Sequence, residues 1–284
     1  MDRRSFPTPA APRLNTLKKN SMVNNSLTLA AIRKRIIHCT RCPELRRYCA
    51  EVARVRKREF ATERYWGKPV PNLGDVSARL LIVGLAPAAH GGNRTGRMFT
   101  GDGSADWLAR SLFRSGFATQ PHSTRRDDGY MLIDTFMTAA IRCAPPANKP
   151  TPRQIERCAV HLRDELDALK NIRVVVGLGK IAFDVILRQL RARGYATQQK
   201  ALPFGHGAEY ELEHKTGARI ILISSYHPSR QNTNTGKLSQ HALDAVFARV
   251  LTLLGNEISA HAAGKKLSAR RRENSAANRA QRTR

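Results

Sequence analysis

The stretch GLAPAAHGGNRTGRMFTGD, residues 84–102, follows the short apolar run Leu80-Leu81-Ile82-Val83, and this junction decides how the chain reads. Six of its 19 residues are Gly or Pro, too many for a regular helix or strand. Four bulky apolar residues that stop at such a loop have the pattern of a strand buried on both faces. A buried strand that runs into a long, polar, glycine-rich loop is how open α/β sheets build sites at the carboxyl ends of their strands. The loop carries side chains suited to such a site, among them His90, Asn93, Arg94, Arg97, Phe99 and Asp102.

The same alternation extends in both directions. Upstream, helices are predicted over Leu27–His38, where Leu29, Ile32 and Ile36 recur at helical spacing, and over Glu44–Arg58. Downstream come a helix over Asp106–Ser115, with Trp107, Leu108, Leu112 and Phe113 inward, and a strand over Met131–Ile141. A helix over Pro152–Leu169 follows, with Thr151 as its cap and Pro152 at its first position. Then come strand Arg173–Val176, helix Lys180–Arg193, strand Arg219–Ser224 and a closing helix over Gly236–Leu254. This order predicts an α/β fold, a three-layer α/β/α sandwich with a central, mainly parallel four-stranded sheet.

A chain of 284 residues can bury one full core, expected over residues 26–258, with disordered basic tails at 1–25 and 259–284. The formal charge is +27, and Lys and Arg exceed Asp and Glu by 11 in residues 1–60 and by 7 in residues 261–284. Such a balance favours a polyanionic partner. No apolar run approaches the roughly 18 residues of a bilayer span, and the start lacks the apolar stretch of a signal peptide. A cytoplasmic protein with reduced cysteines and no membrane partner is the expectation.

Five cysteines occur. Cys39 and Cys42 form a C-x-x-C pair; Cys143 ends a predicted strand and Cys158 lies on the helix after it. These four suit one thiolate site for zinc or an iron–sulfur cluster. The 15-residue second spacing is unlike paired zinc knuckles, which favours [4Fe–4S], with zinc as the alternative. Cys49 is read as a packed thiol. Gly177-Leu178-Gly179-Lys180-Ile181-Ala182 matches a dinucleotide fingerprint only in part, with no acid about 20 residues on, and it fails the P-loop pattern. It is read as a tight strand-to-helix turn, and no nucleotide cofactor is expected. His227, in the loop after strand Arg219–Ser224, stands where an imidazole can hydrogen-bond an anion developing on a ligand.

Taken together, residues 84–102, RCAPPANKPTP (142–152), HPSRQNTNTG (227–236) and the four cysteines resemble the uracil-DNA glycosylase superfamily, most closely its family 5, the type B iron–sulfur enzymes. The resemblance covers about residues 26 to 255. Family 4 looks similar but carries an acid where this chain has Leu85.

The resemblance implies a monofunctional enzyme of base excision repair. It would flip uracil, and other deaminated bases such as hypoxanthine and xanthine, out of DNA and hydrolyse the N-glycosidic bond. Phe99 matches the aromatic that stacks on the flipped base, against a wall formed by Gly84, Leu85 and Ala86. His227 matches the histidine that stabilises the departing uracil anion. No general base is available between Gly84 and Pro87, so the water would be held by one of His90, Asn93, Asp102 or Asn148. Ala139 stands where family 4 reads the base with Asn, which implies a broader substrate range. Arg94, Arg97 and Ser229 would meet phosphates, and the loop containing Arg230 and Gln231 would push into the helix. The implied partners are double-stranded and single-stranded DNA carrying deaminated bases, met by a nucleoid-associated monomer. A non-catalytic nucleic-acid-binding protein with a structural cluster is the rival reading.

Overall fold

A computed structural model describes residues 29–255. The expected tails, 1–25 and 259–284, lie outside the described residues. The chain enters through α1 (residues 29–37), which buries Leu29, Ile32 and Ile36. In α2 (Pro43–Val55) the proline occupies the first turn, where its missing N–H goes unused. This helix stops short of Arg58 because Arg56 takes a φ of 59°, which ends helical propagation.

The strands are β1 (Leu73–Gly74), β2 (Leu80–Gly84), β3 (Thr135–Ala139), β4 (Val174–Leu178), β5 (Tyr195–Ala196), β6 (Glu209–His214) and β7 (Arg219–Ser225). The remaining helices are α3 (Gly92–Thr95), α4 (Gly103–Arg114), α5 (Pro152–Ala168), α6 (Lys180–Ala192), α7 (Arg230–Asn234) and α8 (Gln240–Leu253). The sheet order is β1-β3-β2-β4-β7-β6-β5. The four expected strands, β3, β2, β4 and β7, pair in parallel at its centre. Three flanking strands joined antiparallel, β1 on one side and β6 and β5 on the other, bring the count to seven rather than four.

Alternation along β2 shows the layering. Leu80 and Ile82 join one core with Leu108 and Leu112 of α4 and Leu243 and Phe247 of α8. Leu81 and Val83 join the other with α1, Leu162 of α5 and Phe183 of α6. Phe113, expected inward, is 43% exposed because the buried stripe of α4 runs through Ala105, Leu108, Ala109 and Leu112. β3 is shorter than expected because Asp134 takes a φ of 50° just before it. The closing helix starts at Gln240, where Ser239 accepts a hydrogen bond from Ala242 N–H, and Arg230–Asn234 forms its own short helix. Thr151 caps α5, as the sequence suggested, and Gln154 completes a capping box with it.

A buried polar chain ties the layers together. Glu165 of α5 accepts from Arg142 at 2.6 Å, Thr138 at 2.7 Å and Asn72 at 2.7 Å. Arg33 of α1 closes the chain on Asn72 at 2.6 Å. Gly177 permits close strand–helix packing, since a Cβ there would stand 2.8 Å from Phe183 Cα; the turn reading of that glycine pair holds. Among the described residues no helix is long and apolar enough to cross a membrane. Because the central strands are parallel, the loops after β2, β3, β4 and β7 all leave at one edge.

Candidate active site

At that edge the loop after β2 folds back on its own strand. The Phe99 ring lies against Gly84, where an added Cβ would stand 2.5 Å from Phe99 Cζ. Phe99 holds this position with a φ of 45°, a left-handed conformation that a bulky residue rarely adopts. His227, two residues past β7, faces it: the ring centroids are 6.0 Å apart with planes at 33°. Gly179, at the turn after β4, sits behind the imidazole, where a Cβ would be 3.4 Å from His227 Cβ. The backbone around His227 is fixed, with its carbonyl accepting from Ser229 N–H at 2.7 Å and from Asn232 Nδ2 at 2.8 Å. Burial pushes the imidazole down to about 4, so the ring is neutral at physiological pH.

Sequence reasoning passed over the support of this loop. His206 Nδ1 accepts the Tyr226 N–H at 3.1 Å, and the His206 and Tyr226 rings stack with centroids 5.2 Å apart. The Phe-Gly-His-Gly run at 204–207 was the available signal.

The residues considered for holding water are placed differently from one another. Asp102 caps α4 through Ala105 N–H at 3.0 Å, and its other oxygen lies where a Cβ on Gly91 would fall. Burial pushes its carboxyl up, against the pull of the helix N–H groups. The loop therefore brings a carboxylate back towards its own start, which the chain between Gly84 and Pro87 lacks. His90 is half-buried, bonded through Nδ1 to Tyr65 Oη at 3.0 Å, and its pKa is lowered by burial and by Lys57 and Arg94. Asn148 is exposed, with a φ of 56° beside Ala147 at 52°, two strained residues in succession. Asn93 is fully buried and its amide nitrogen donates inward to Cys49 O at 3.3 Å and Ala89 O at 3.4 Å.

Arg94 and Arg97 do not stand free for phosphates. Arg94 bonds His90 O at 2.7 Å, Gly101 O at 2.8 Å and Glu63 at 2.5 Å, and its guanidinium stacks on Phe60 at 3.8 Å. Arg97 makes paired 2.8 Å contacts to Asp128 and further bonds to Thr100 and Ser123. Both are buried, and both hold the loop's shape; the expected phosphate contact gives way to that role. Ser229 is half-buried at the start of α7, and Arg230 and Gln231 are exposed beside it, Arg230 reaching within 3.9 Å of where a Gly103 Cβ would lie. Leu85 and Ala86 are half-buried, with Leu85 O accepting from Ile141 N–H at 3.0 Å.

Cys39, Cys42, Cys143 and Cys158 line one recess between the α1–α2 junction, the segment after β3 and α5. Among the described residues no group of three or more His, Cys, Asp or Glu is gathered in the manner of a metal-ion site. Burial pushes the Cys158 thiol up to about 11 and raises Cys42; Cys143 is raised by its hydrogen bond with Cys49 and by burial. Cys49 is fully buried, and its thiol donates to Ala144 O at 3.5 Å.

Residues 71–251 match the uracil DNA glycosylase superfamily. The chain is 45% identical to the type-5 uracil-DNA glycosylase of Pyrobaculum aerophilum over 215 residues, 76% of this chain and 88% of that protein. It is 45% identical to that of Thermus thermophilus over 217 residues, 76% of this chain and 94% of that protein. With the corresponding Mycobacterium tuberculosis protein it shares 45% over 220 residues, 77% of this chain and 79% of that protein. The chain belongs to the uracil-DNA glycosylase superfamily and, within it, to the type-5 family.

Proposed function

We propose that this protein is a uracil-DNA glycosylase of base excision repair, hydrolysing the bond between uracil N1 and C1′ of its deoxyribose. The observation that carries the reading is the Phe99–His227 pair, an aromatic face and a neutral imidazole set 6.0 Å apart at a sheet's carboxyl edge. A base turned out of the helix would stack on Phe99 and present its O2 edge to His227. As the N1–C1′ bond breaks, its electron pair passes to the base and charge gathers on O2. A neutral N–H aimed there stabilises that charge without giving up a proton. Water adds to the oxocarbenium-like C1′ and gives up a proton, which is matched by protonation of the departed uracil anion, leaving an abasic sugar and free uracil.

For holding the water, Asp102 is the best-supported residue. It is a carboxylate whose basicity burial raises, three residues from Phe99 on the same loop. Asn148, exposed on the strained loop after β3, faces the same sheet edge and fits a role on the sugar or phosphate side. The wall from Gly84 to Pro87 and Ala139 carries no polar side chain. That composition suits a pocket that also takes hypoxanthine or xanthine, in duplex or single-stranded DNA.

The cysteine recess fits a [4Fe–4S] cluster. Among the described residues its metal-binding side chains are four thiols, and Arg41, Arg46 and Arg142 line it too, which favours a thiolate-bound, net-negative group. A cluster is itself several atoms wide, so its thiolates stand farther apart than the ligands of a single ion. When bound it would supply cross-links, not reaction chemistry. Cys39 and Cys42 would fix the α1–α2 junction, and Cys143 and Cys158 would fix the β3 exit and α5.

The test is release of free base by purified protein from duplexes with uracil opposite G or A, and from hypoxanthine and xanthine substrates. No release from any uracil substrate sinks the reading. DNA binding with no effect of His227→Ala on any property favours the non-catalytic rival.

A further inference from the structure

The cations facing solvent beside the Phe99 loop are not the arginines within it. The segment before β1 is zipped to that loop: Trp66 N–H donates to Arg94 O at 2.8 Å and Gly67 N–H to Asn93 O at 3.0 Å. The Trp66 indole lies on Gly96, where an added Cβ would stand 2.8 Å from the ring, and its Nε1–H donates to Pro69 O at 3.1 Å. Two cations gather on this one ring. The Arg126 guanidinium carbon is 4.2 Å from a ring centroid and Lys68 Nζ is 5.8 Å away. Arg126 also donates to Gly96 O at 3.3 Å, and both side chains are exposed.

Among the described residues neither cation forms an ion pair with a carboxylate. The acids nearby are already engaged, Asp127 with Arg125 at 3.3 Å and Asp128 with Arg97 at 2.8 Å. The indole returns only about 0.5–1 kcal/mol per exposed cation. Two like charges held on one ring therefore leave a local positive potential that an anion between them would neutralise. Gly96 precedes Phe99 by three residues, so their Cα atoms lie within about 11 Å. Phosphates on one strand follow at about 3.4 Å along the helix axis, so a phosphate a few nucleotides from the base on Phe99 falls within reach.

We propose that Lys68 and Arg126, held on Trp66, bind a backbone phosphate of the DNA strand flanking the excised base; this rests on the glycosylase reading above. A guanidinium stacked on a ring keeps its N–H edge free for a phosphate, and Lys68 adds a second point charge. Such contacts position the duplex and carry no base information.

The experiment uses the full chain and a fluorescent duplex whose uridine carries a 2′-fluorine, which withdraws electrons from C1′ and slows cleavage. Affinity is measured over a salt series for wild type, Lys68→Met, Arg126→Gln and the double variant. The slope of log affinity against log salt is expected to become shallower by about 0.9 for each phosphate the variant no longer neutralises, and KM for uracil release from the same duplex without the fluorine is expected to rise. An unchanged slope in the double variant overturns the proposal. So does a fall in the saturated rate without a change in slope, which assigns the stack to loop support instead. If Arg126→Gln lowers the melting temperature through its bond to Gly96, Lys68→Met decides alone, because Lys68 makes no hydrogen bond to a described residue. A wild type with this salt dependence that releases no base from the duplex without the fluorine overturns the glycosylase reading and leaves the phosphate surface standing.

Discussion

Gly84 and Phe99 occupy one space: a Cβ built on Gly84 would stand 2.5 Å from Phe99 Cζ and 2.8 Å from Cε2. The loop between them carries Phe99 to a left-handed φ of 45°, a strain on the order of 1–3 kcal/mol that the surrounding bonds must hold. Gly84→Ala pushes the ring off its seat. A displacement of about 1 Å at a reacting centre can cost about 100-fold in rate, so kcat for uracil release is expected to fall by that order. The added methyl in a packed strand end costs stability by about 1–3 kcal/mol. A Gly84→Ala enzyme with wild-type kcat refutes the seat.

His227 is expected to work as a neutral donor. Its ring is held down to about 4 by burial, so its protonation adds no pH dependence to kcat between about pH 5 and 8. His227→Ala removes the donor and is expected to lower kcat by about 100- to 1000-fold with DNA affinity retained. The same shift sets a stability trend. The unfolded ring binds its proton near pH 6.5 and the folded ring near 4, so the unfolded state holds more protons in that window. Stability is full above about 6.5 and declines as pH falls towards 4. His161, also lowered to about 4 by burial and, among the described residues, without a hydrogen-bond partner at either nitrogen, adds the same sign. His161→Leu should shrink the difference in melting temperature between pH 7 and pH 4.5; an unchanged difference removes His161 from the account.

Much of this arrangement was legible because it is local. A four-residue apolar run against a Gly-rich loop places β2 and its exit, and the Thr151–Pro152 pair places the start of α5. What escaped depends on partners distant in sequence. Nothing near Arg97 announces Asp128, 31 residues on, so a charged loop residue read as surface is in fact buried. Trp66 carries no local signal, because its seat is Gly96, 30 residues on, and Arg126 lies 30 residues beyond that. β1 and β5 have two residues each and carry no periodic signal, whereas β6, Glu-Tyr-Glu-Leu-Glu-His, alternates acid with buried apolar residues and was readable.

The cysteines divide four to one. Protein purified without oxygen is expected to be brown and to contain iron and sulfide in about equal amounts, about four of each per chain. Cys143→Ser should lose the colour and lower the melting temperature, since the β3 exit and α5 lose a shared anchor. Cys49→Ser should keep the colour, because Cys49 is not among the residues lining the recess and a serine hydroxyl keeps its contacts with Ala144 O and Cys143. Zinc in place of iron, found by elemental analysis, decides for the alternative. Loss of iron in Cys49→Ser overturns the division.

Arg97→Ala is expected to damage the fold and spare the electrostatics of DNA binding. Arg97 and Asp128 are 7% and 9% exposed and share two 2.8 Å contacts. Removing the guanidinium leaves a buried carboxylate without its partner, a loss of about 3–5 kcal/mol. Burial would raise the Asp128 carboxyl, but the Tyr130 N–H, Arg97 and the N–H groups of Arg125 and Thr124 outweigh it and hold it near 2. A lowered carboxyl contributes stability above its unfolded value near 3.8 and loses it as pH falls towards 2. In Arg97→Ala that acid-sensitive part should shrink, because the carboxyl moves back up. Thermal melting at pH 7 and pH 3 reads both effects. The salt slope of DNA affinity, measured well below the variant's melting temperature, should match wild type, because this cation meets Asp128 and not a phosphate. A shallower slope in Arg97→Ala returns Arg97 to the DNA interface.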